Sequence, residues 1–112
     1  MVGKVYVPCR GDIVWLDFSP QSGHEQAGRR PAVCISPNAY NKKVGLAIFC
    51  PITSNQKGYP FEVLLPDKLP IKGVVLADHL KNLDWRSRNT SYICSLDEST
   101  FAEVLGKIHT LI

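Results

Sequence analysis

The stretch GHEQAGRRPAVCIS, residues 23 to 36, sets a histidine, a glutamate, a glutamine and two adjacent arginines directly before an apolar run. A proton acceptor beside a fixed, fork-shaped cation suits acid–base chemistry at a phosphate, because guanidinium stays charged and matches phosphate oxygens two at a time. Metal-free cleavage of RNA needs three such groups: a base for the 2′-hydroxyl proton, a cation for the phosphate oxygens and a donor for the leaving 5′-oxygen. Glu25, Arg30 and His24 supply those types, and Thr53 with Ser54 could add hydrogen bonds to the same phosphate from another loop. The plainer alternative is a surface pair between Glu25 and Arg29, worth at most about 1 kcal/mol. Arg30 argues for position rather than decoration. Standing directly before Pro31, it is held in extended geometry at the mouth of an apolar strand.

Further along, NQKGYPFE (55 to 62) offers Lys57 beside Gly58 and Tyr59-Pro60, able to grip a phosphate and stack a base, or to be no more than a solvated turn. NLDWRSRN (82 to 89) interleaves Trp85 with Arg86 and Arg88 and follows Lys81. That pattern fits single-stranded RNA or an acidic partner, and equally a dimer contact anchored by Trp85. His79 beside Asp78 reads as an acid/base pair or a structural hydrogen bond. Trp15 points either into the core, the favoured reading, or along the floor of a cleft.

The elements that must position these groups are short. GDIVWLDFSP (11 to 20), PAVCIS (31 to 36), GLAIFCPIT (45 to 53), YPFEVLL (59 to 65), GVVLADHL (73 to 80) and SYIC (91 to 94) are rich in branched and aromatic residues and bounded by Gly and Pro turns, so each predicts a strand. Ser36-Pro37 predicts a cap for a short helix over 38 to 43, with the proline in its first turn. Pro51 lacks a backbone donor and predicts a sheet edge or a bulge. Ser95-Leu96-Asp97-Glu98 matches a capping box, and Phe101, Val104, Leu105, Ile108, Leu111 and Ile112 recur at the helical period. The expected architecture is mainly β with helices (α+β): a compact, strongly curved antiparallel sheet or small barrel closed by an amphipathic C-terminal helix.

At 112 residues, the chain predicts a single domain over 1–112, able to bury roughly two-thirds of its unfolded surface. With 45% hydrophobic and 21% charged residues, it is neither disordered nor low in complexity. A net charge of +3 permits an acidic or nucleic-acid partner without the dense basic stripe that would demand one. No stretch approaches the roughly 20 apolar residues of a membrane span, and the start lacks an apolar signal core, so a cytoplasmic protein without membrane partners is expected. Cys9, Cys34, Cys50 and Cys94 are widely spaced and predict reduced, buried thiols. The histidines lack metal-ligand spacing, and no Gly-rich phosphate loop is present, so neither metal nor cofactor is expected.

Taken together, RGDIVWLDFSP, GHEQAGRRPAVCISP, PITSNQKGYPFEV, GVVLADHLKNLDWRSR and the closing helix resemble the MazF/PemK family of toxin endoribonucleases over nearly the whole chain. The G-x-E-Q-x-G-x-R-P string is the most telling element. The resemblance implies a CcdB/PemK-like small barrel of SH3 type that forms a homodimer and cuts single-stranded mRNA without a metal. The 2′-hydroxyl attacks, leaving a 2′,3′-cyclic phosphate and a 5′-hydroxyl. It implies catalytic roles for Arg30, Glu25 and Thr53, with Ser54 adjacent and Lys57 matching a lysine implicated in RNA contact. His24, Gln26, Arg29 and Trp15 complete the expected RNA-binding set, while Trp85, Arg86 and Arg88 are expected to meet a partner copy or a cognate antitoxin with an acidic, partly disordered tail. The chain departs from a close branch at Arg29, where that branch has histidine, and at His79, where it has glutamine, which leaves the recognised RNA sequence open. Two other readings stand beside the nuclease: a CcdB-like protein that binds DNA gyrase, disfavoured by an ending that lacks the Trp-Gly-Ile tail, and a catalytically silent RNA-binding barrel.

Overall fold

The computed structural model describes residues 5–18 and 28–112. In chain order these form β1 (Asp12–Phe18), β2 (Gly28–Cys34), α1 (Asn38–Val44), β3 (Ala47–Thr53), β4 (Glu62–Leu64), β5 (Val74–Leu76), β6 (Lys81–Leu83), a 3-10 turn (Trp85–Ser87), β7 (Ser91–Ser95) and α2 (Glu98–His109). All strand pairings are antiparallel, in the order β4-β5-β3-β2-β1-β7, with β6 also on β3. The terminal strands β4 and β7 do not pair with each other among the described residues, so the curved sheet is an open form of the expected barrel.

Alternation of side chains splits the apolar residues between two faces. One face carries Ile13, Val33, Cys50, Ile52, Val63 and Val75, which pack with Val104 and Ile108 of α2. The other carries Val14, Leu16, Phe18, Ala32, Cys34, Ala47 and Phe49, which pack with Trp85 and, at the margin, with Tyr6 and Val7. Neighbouring residues of one strand therefore serve different cores. This is why β2 and β3 read as continuous apolar runs rather than alternating ones.

Asn41 joins the second core to the chain around it. Fully buried, its Nδ2 donates to the carbonyls of Pro8 (2.8 Å) and Ser36 (3.1 Å), and its Oδ1 accepts from Ser36 Oγ at 2.6 Å. Ser36 Oγ in turn accepts from Ile48 N at 2.8 Å, and Ile35 N donates to Ile48 O at 2.8 Å, fastening the end of β2 to the start of β3. The Asn41 carbonyl receives Trp85 Nε1 (3.0 Å) and the N–H of Gly45, whose φ of 80° ends α1 in the left-handed region.

Several sequence expectations need correction. Ser36 is not a helix cap, because its hydroxyl is spent on Asn41 and Ile48; Pro37 takes the cap position of α1 without a side-chain bond. The cap of α2 is Asp97, not Ser95, with Oδ2 accepting from Thr100 N at 3.1 Å. Leu111 and Ile112 lie past the end of α2 and are exposed, so they do not extend its buried stripe. Pro51 lies in a central strand. Because Ile35 and Ile48 form a hydrogen-bonded pair, the register places Pro51 at a non-bonded position opposite Ala32. Its donor-less nitrogen then faces the gap where β6, paired to β3 up to Phe49, gives way to β5, paired from Ile52. Among the thiols, Cys34 and Cys50 are buried as expected, but Cys9 is exposed. Burial pushes the Cys34 thiol up to about 11 and that of Cys50 to about 12, so both stay protonated at neutral pH.

Two stability predictions follow from these contacts. Asn41→Ala leaves the Pro8 and Ser36 carbonyls without their donor and is expected to cost on the order of 3 kcal/mol in urea unfolding. Hydrogen bonds from Thr100 and Ser99 hold the Asp97 carboxyl at about 2, below its ordinary 3.8. A depressed carboxyl stabilises the fold above its unfolded pKa and loses that contribution as pH falls through the folded one. The stability gap between the parent and Asp97→Ala is therefore expected to be constant above about pH 5 and to close between about pH 4 and pH 2, as followed by helical circular dichroism during acid titration.

Candidate functional site

The two strands that share the clamp at Ser36 also deliver the candidate catalytic side chains, at their opposite ends. Ala32 pairs with Pro51. The pairing ends there: Arg30 lies two residues further along β2, and Thr53 two residues further along β3, where β3 pairs with β5. Arg30 is half-buried and directly opposite Leu16 on β1, so its aliphatic stem rests at the margin of the second core.

Beside Thr53 opens a cavity of about 250 Å³ lined by Thr53, Asn55, Lys57, Tyr59, Glu62, Leu76 and His79. The loop that forms one wall is tied down at several points. Glu62 accepts from Lys57 N (2.9 Å, Oε2) and Gly58 N (2.8 Å, Oε1), which fixes the backbone that carries the Lys57 side chain. Tyr59 donates its hydroxyl to Asp78 Oδ1 at 2.6 Å, and Lys107 of α2 reaches the Pro60 carbonyl at 2.6 Å. Burial, and then the hydrogen bond to Asp78, push the Tyr59 phenol up to about 12, which keeps it a neutral donor. Thr53 Oγ1 accepts from Asn55 N at 3.1 Å. One acceptor site is thereby used while the hydroxyl proton remains available for a ligand. On the far wall, His79 Nε2 stands 3.8 Å from Asp78 Oδ1.

Gly73 sets the approach of the strand to this site. Its φ is +129°, and a Cβ there would fall 2.3 Å from the Thr53 carbonyl oxygen, so only glycine lets β5 lie this close to the end of β3.

The structure thus brings Thr53, Lys57 and His79 to one cleft, with Arg30 on the adjoining strand and Ser54 exposed next to Thr53. His24, Glu25 and Gln26 lie outside the described residues. Arg29 occupies the opposite pleat from Arg30. Its guanidinium binds Asp17 Oδ1 (3.1 Å), Asn89 O (2.8 Å) and Ser91 Oγ (3.2 Å), bracing β2 against β1 and β7. Trp15 is 36% exposed rather than in the core, because its end of the β1 face lies beyond the cover that α2 gives. Trp85 is corrected in the opposite sense. At 2% exposure it is a core residue and not the surface anchor expected for an antitoxin or a partner copy. Arg86 stacks on it at 5.0 Å and donates to Lys42 O, while Arg88 Nη1 donates to Asp17 O at 3.0 Å. Sequence reading passed over Glu62. Its signal is a carboxylate four residues past a glycine turn, a spacing shared with many turns that bind nothing.

Among the described residues, no three His, Cys, Asp or Glu side chains gather as a metal-holding cluster, and no helix is long and apolar enough to cross a membrane.

A family model described as PemK-like, MazF-like toxin of type II toxin-antitoxin system matches residues 9–112. The chain belongs to this family. Within it, the chain is 44% identical over 107 residues to the endoribonuclease toxin MazF of Escherichia coli K12, covering 96% of each protein. It is 32% identical to the endoribonuclease PemK of Escherichia coli, covering 92% of this chain and 80% of PemK. Its fold superposes on a crystal structure of MazF from Deinococcus radiodurans with a TM-score of 0.92 at 55% identity, covering 96% of this chain and 97% of that one. A MazE–MazF complex from the same organism gives 0.85 at 50% identity, covering 96% of each chain. The family fold accounts for the α+β class and for the open, curved sheet.

Gly73→Ala is expected to cost on the order of 2 kcal/mol in urea unfolding, since either the Thr53 carbonyl or the backbone of residue 73 must move. Gly106→Ala on α2, where an added Cβ meets nothing within 4 Å, is expected to be neutral or stabilising by up to about 1 kcal/mol.

Proposed function

We propose that this chain is a sequence-selective endoribonuclease toxin that cleaves single-stranded RNA, mRNA above all, by attack of the 2′-hydroxyl on the adjacent phosphorus, with no metal taking part. The observation that supports the reading is the gathering of Thr53, Lys57 and His79 around one cleft, with Arg30 carried by β2, the strand that pairs with β3. In the reaction the 2′-oxygen bonds to phosphorus as its proton leaves to a base. The phosphorus–O5′ bond then breaks, and the 5′-oxygen takes up a proton, giving a 2′,3′-cyclic phosphate and a 5′-hydroxyl. Arg30 neutralises charge on the non-bridging oxygens, Thr53 donates to one of them, and Lys57 holds a neighbouring phosphate. Glu25 is assigned to proton transfer or to orienting Arg30, with His24, Gln26, Ser54 and exposed Trp15 contacting RNA.

The partners in this reading are a second copy of the chain and a cognate antitoxin, as in the MazE–MazF complexes of the Deinococcus radiodurans relative. An acidic, disordered antitoxin tail would compete with RNA for the basic groups of the cleft and for exposed Arg86. The setting is the cytoplasm, where RNA is at hand.

Incubation of purified protein with mixed-sequence single-stranded RNA in excess EDTA tests the reading. Discrete fragments whose 5′ ends accept phosphate from a polynucleotide kinase without prior phosphatase treatment are expected. Arg30→Ala should lower the single-turnover rate by about 10²-fold or more, and Thr53→Val by about tenfold. Intact RNA with the parent protein across several sequences would sink the enzyme. Equal cutting by Arg30→Ala would remove the proposed cation.

A further inference from the structure

The charges that line the cleft do not by themselves suit a polyanion. Among the described residues, the cavity is lined by one lysine, Lys57, and one carboxylate, Glu62, and Asp78 stands behind His79. Two carboxylates outweigh one lysine. The Glu62 oxygens are turned to backbone N–H groups, and Asp78 accepts from Tyr59. Arg30 on the neighbouring strand restores balance at best. What would tip this end of the groove positive is the remaining titratable side chain on the wall, His79.

Its placement fits that task. His79 sits at the exit of β5, where its N–H closes a turn on Leu76 O at 3.1 Å, so its backbone is fixed. The imidazole lines the same cavity as Thr53 and Lys57, and its side chain is 28% exposed, open to a ligand from one side. On the other side Nε2 lies 3.8 Å from Asp78 Oδ1, too long for a hydrogen bond that would commit the ring to that carboxylate. Asp78 is itself anchored by Tyr59 at 2.6 Å, so it serves as a fixed counter-charge. Among the described residues, Lys57, of like sign, and Glu62, of opposite sign, are the other ionic groups lining this space, and Tyr59 is neutral there.

We propose that His79 is a further RNA-contacting residue, whose protonated imidazole binds a phosphate of the substrate strand beside Lys57. RNA affinity then rises as pH falls through neutrality. The inference rests on the RNA reading above. The sign follows from linkage: a group that binds phosphate only when protonated strengthens binding below its pKa and drops out above it. With His79 neutral, the strand must be held by Lys57 and Arg30 against two carboxylates. With it charged, one more phosphate is neutralised and one more set of counterions released.

The test measures binding rather than cutting, so that it survives a failure of catalysis. Fluorescence anisotropy with a labelled, non-cleavable 2′-O-methyl RNA of mixed sequence gives Kd against salt at pH 5.5 and pH 8. For the parent protein, the slope of log affinity against log salt is expected to steepen by about 0.7 at the lower pH, as one added phosphate contact on a single strand requires. Affinity at moderate salt should rise about fivefold. His79→Gln should show the shallower slope at both pH values, His79→Lys the steeper slope at both, and a control change at exposed His109, His109→Gln, should keep the parent's pH response. A parent slope that does not change with pH, or one that changes equally in His79→Gln, overturns the assignment while leaving the nuclease reading intact. Failure of the parent to bind RNA at either pH overturns both.

Discussion

A hydrogen-bonded clamp of four residues governs the register of the two strands that carry Arg30 and Thr53. Ser36 Oγ, held by Asn41, accepts the Ile48 N–H, and Ile35 N bonds Ile48 O, so β2 and β3 can pair in one alignment only. The clamp sits at one end of the strands, and Arg30 and Thr53 stand at the other. Because side chains alternate faces with a period of two, a slip of one residue would turn Arg30 to the other face of the sheet and push Val33 out of its core. Tight packing on both faces forbids the slip. Site geometry is therefore enforced from a distance by a buried polar network, whose members are satisfied by one another and so specify a unique arrangement.

Around that register the molecule keeps its polar groups committed. Arg29 braces three strands, Arg88 reaches the β1 carbonyl of Asp17, and Asp12 accepts from the Tyr6 hydroxyl and the Cys9 N–H. Burial, together with Asp12, pushes the Tyr6 phenol well above its ordinary value, so it acts as a fixed donor pinning the N-terminal segment over the second core.

How much of this was legible in the sequence depended on whether the signal was local. The strands of β1, β2, β3 and β7 and the terminal helix showed in apolar pattern and punctuation. Strand β6, at three residues, is too short to show any period, and it forms because β3 offers it an edge. Pro51 was misplaced at an edge because a donor-less residue in a central strand requires two partners to change over at one point, which no local rule encodes. Trp15 and Trp85 exchanged expected environments for a similar reason. Charged neighbours suggested that Trp85 faced outward, but its Nε1 finds the Asn41 carbonyl across the fold, while β1 outruns the helix that would have covered Trp15. In the site, residue types announced the chemistry, but the convergence of Thr53, Lys57 and His79 depended on long-range pairing between β3, β4 and β5.

The disposition of the thiols carries one more consequence. Cys34 and Cys50 lie inside the two cores with their protons held fast, whereas Cys9 sits outside, by the end of β2 remote from Arg30. Peroxide or an alkylating probe therefore meets Cys9 before either core thiol. The exposed thiol thus offers the biochemist a natural handle for a dye or a surface tether, while the two core thiols stay out of reach.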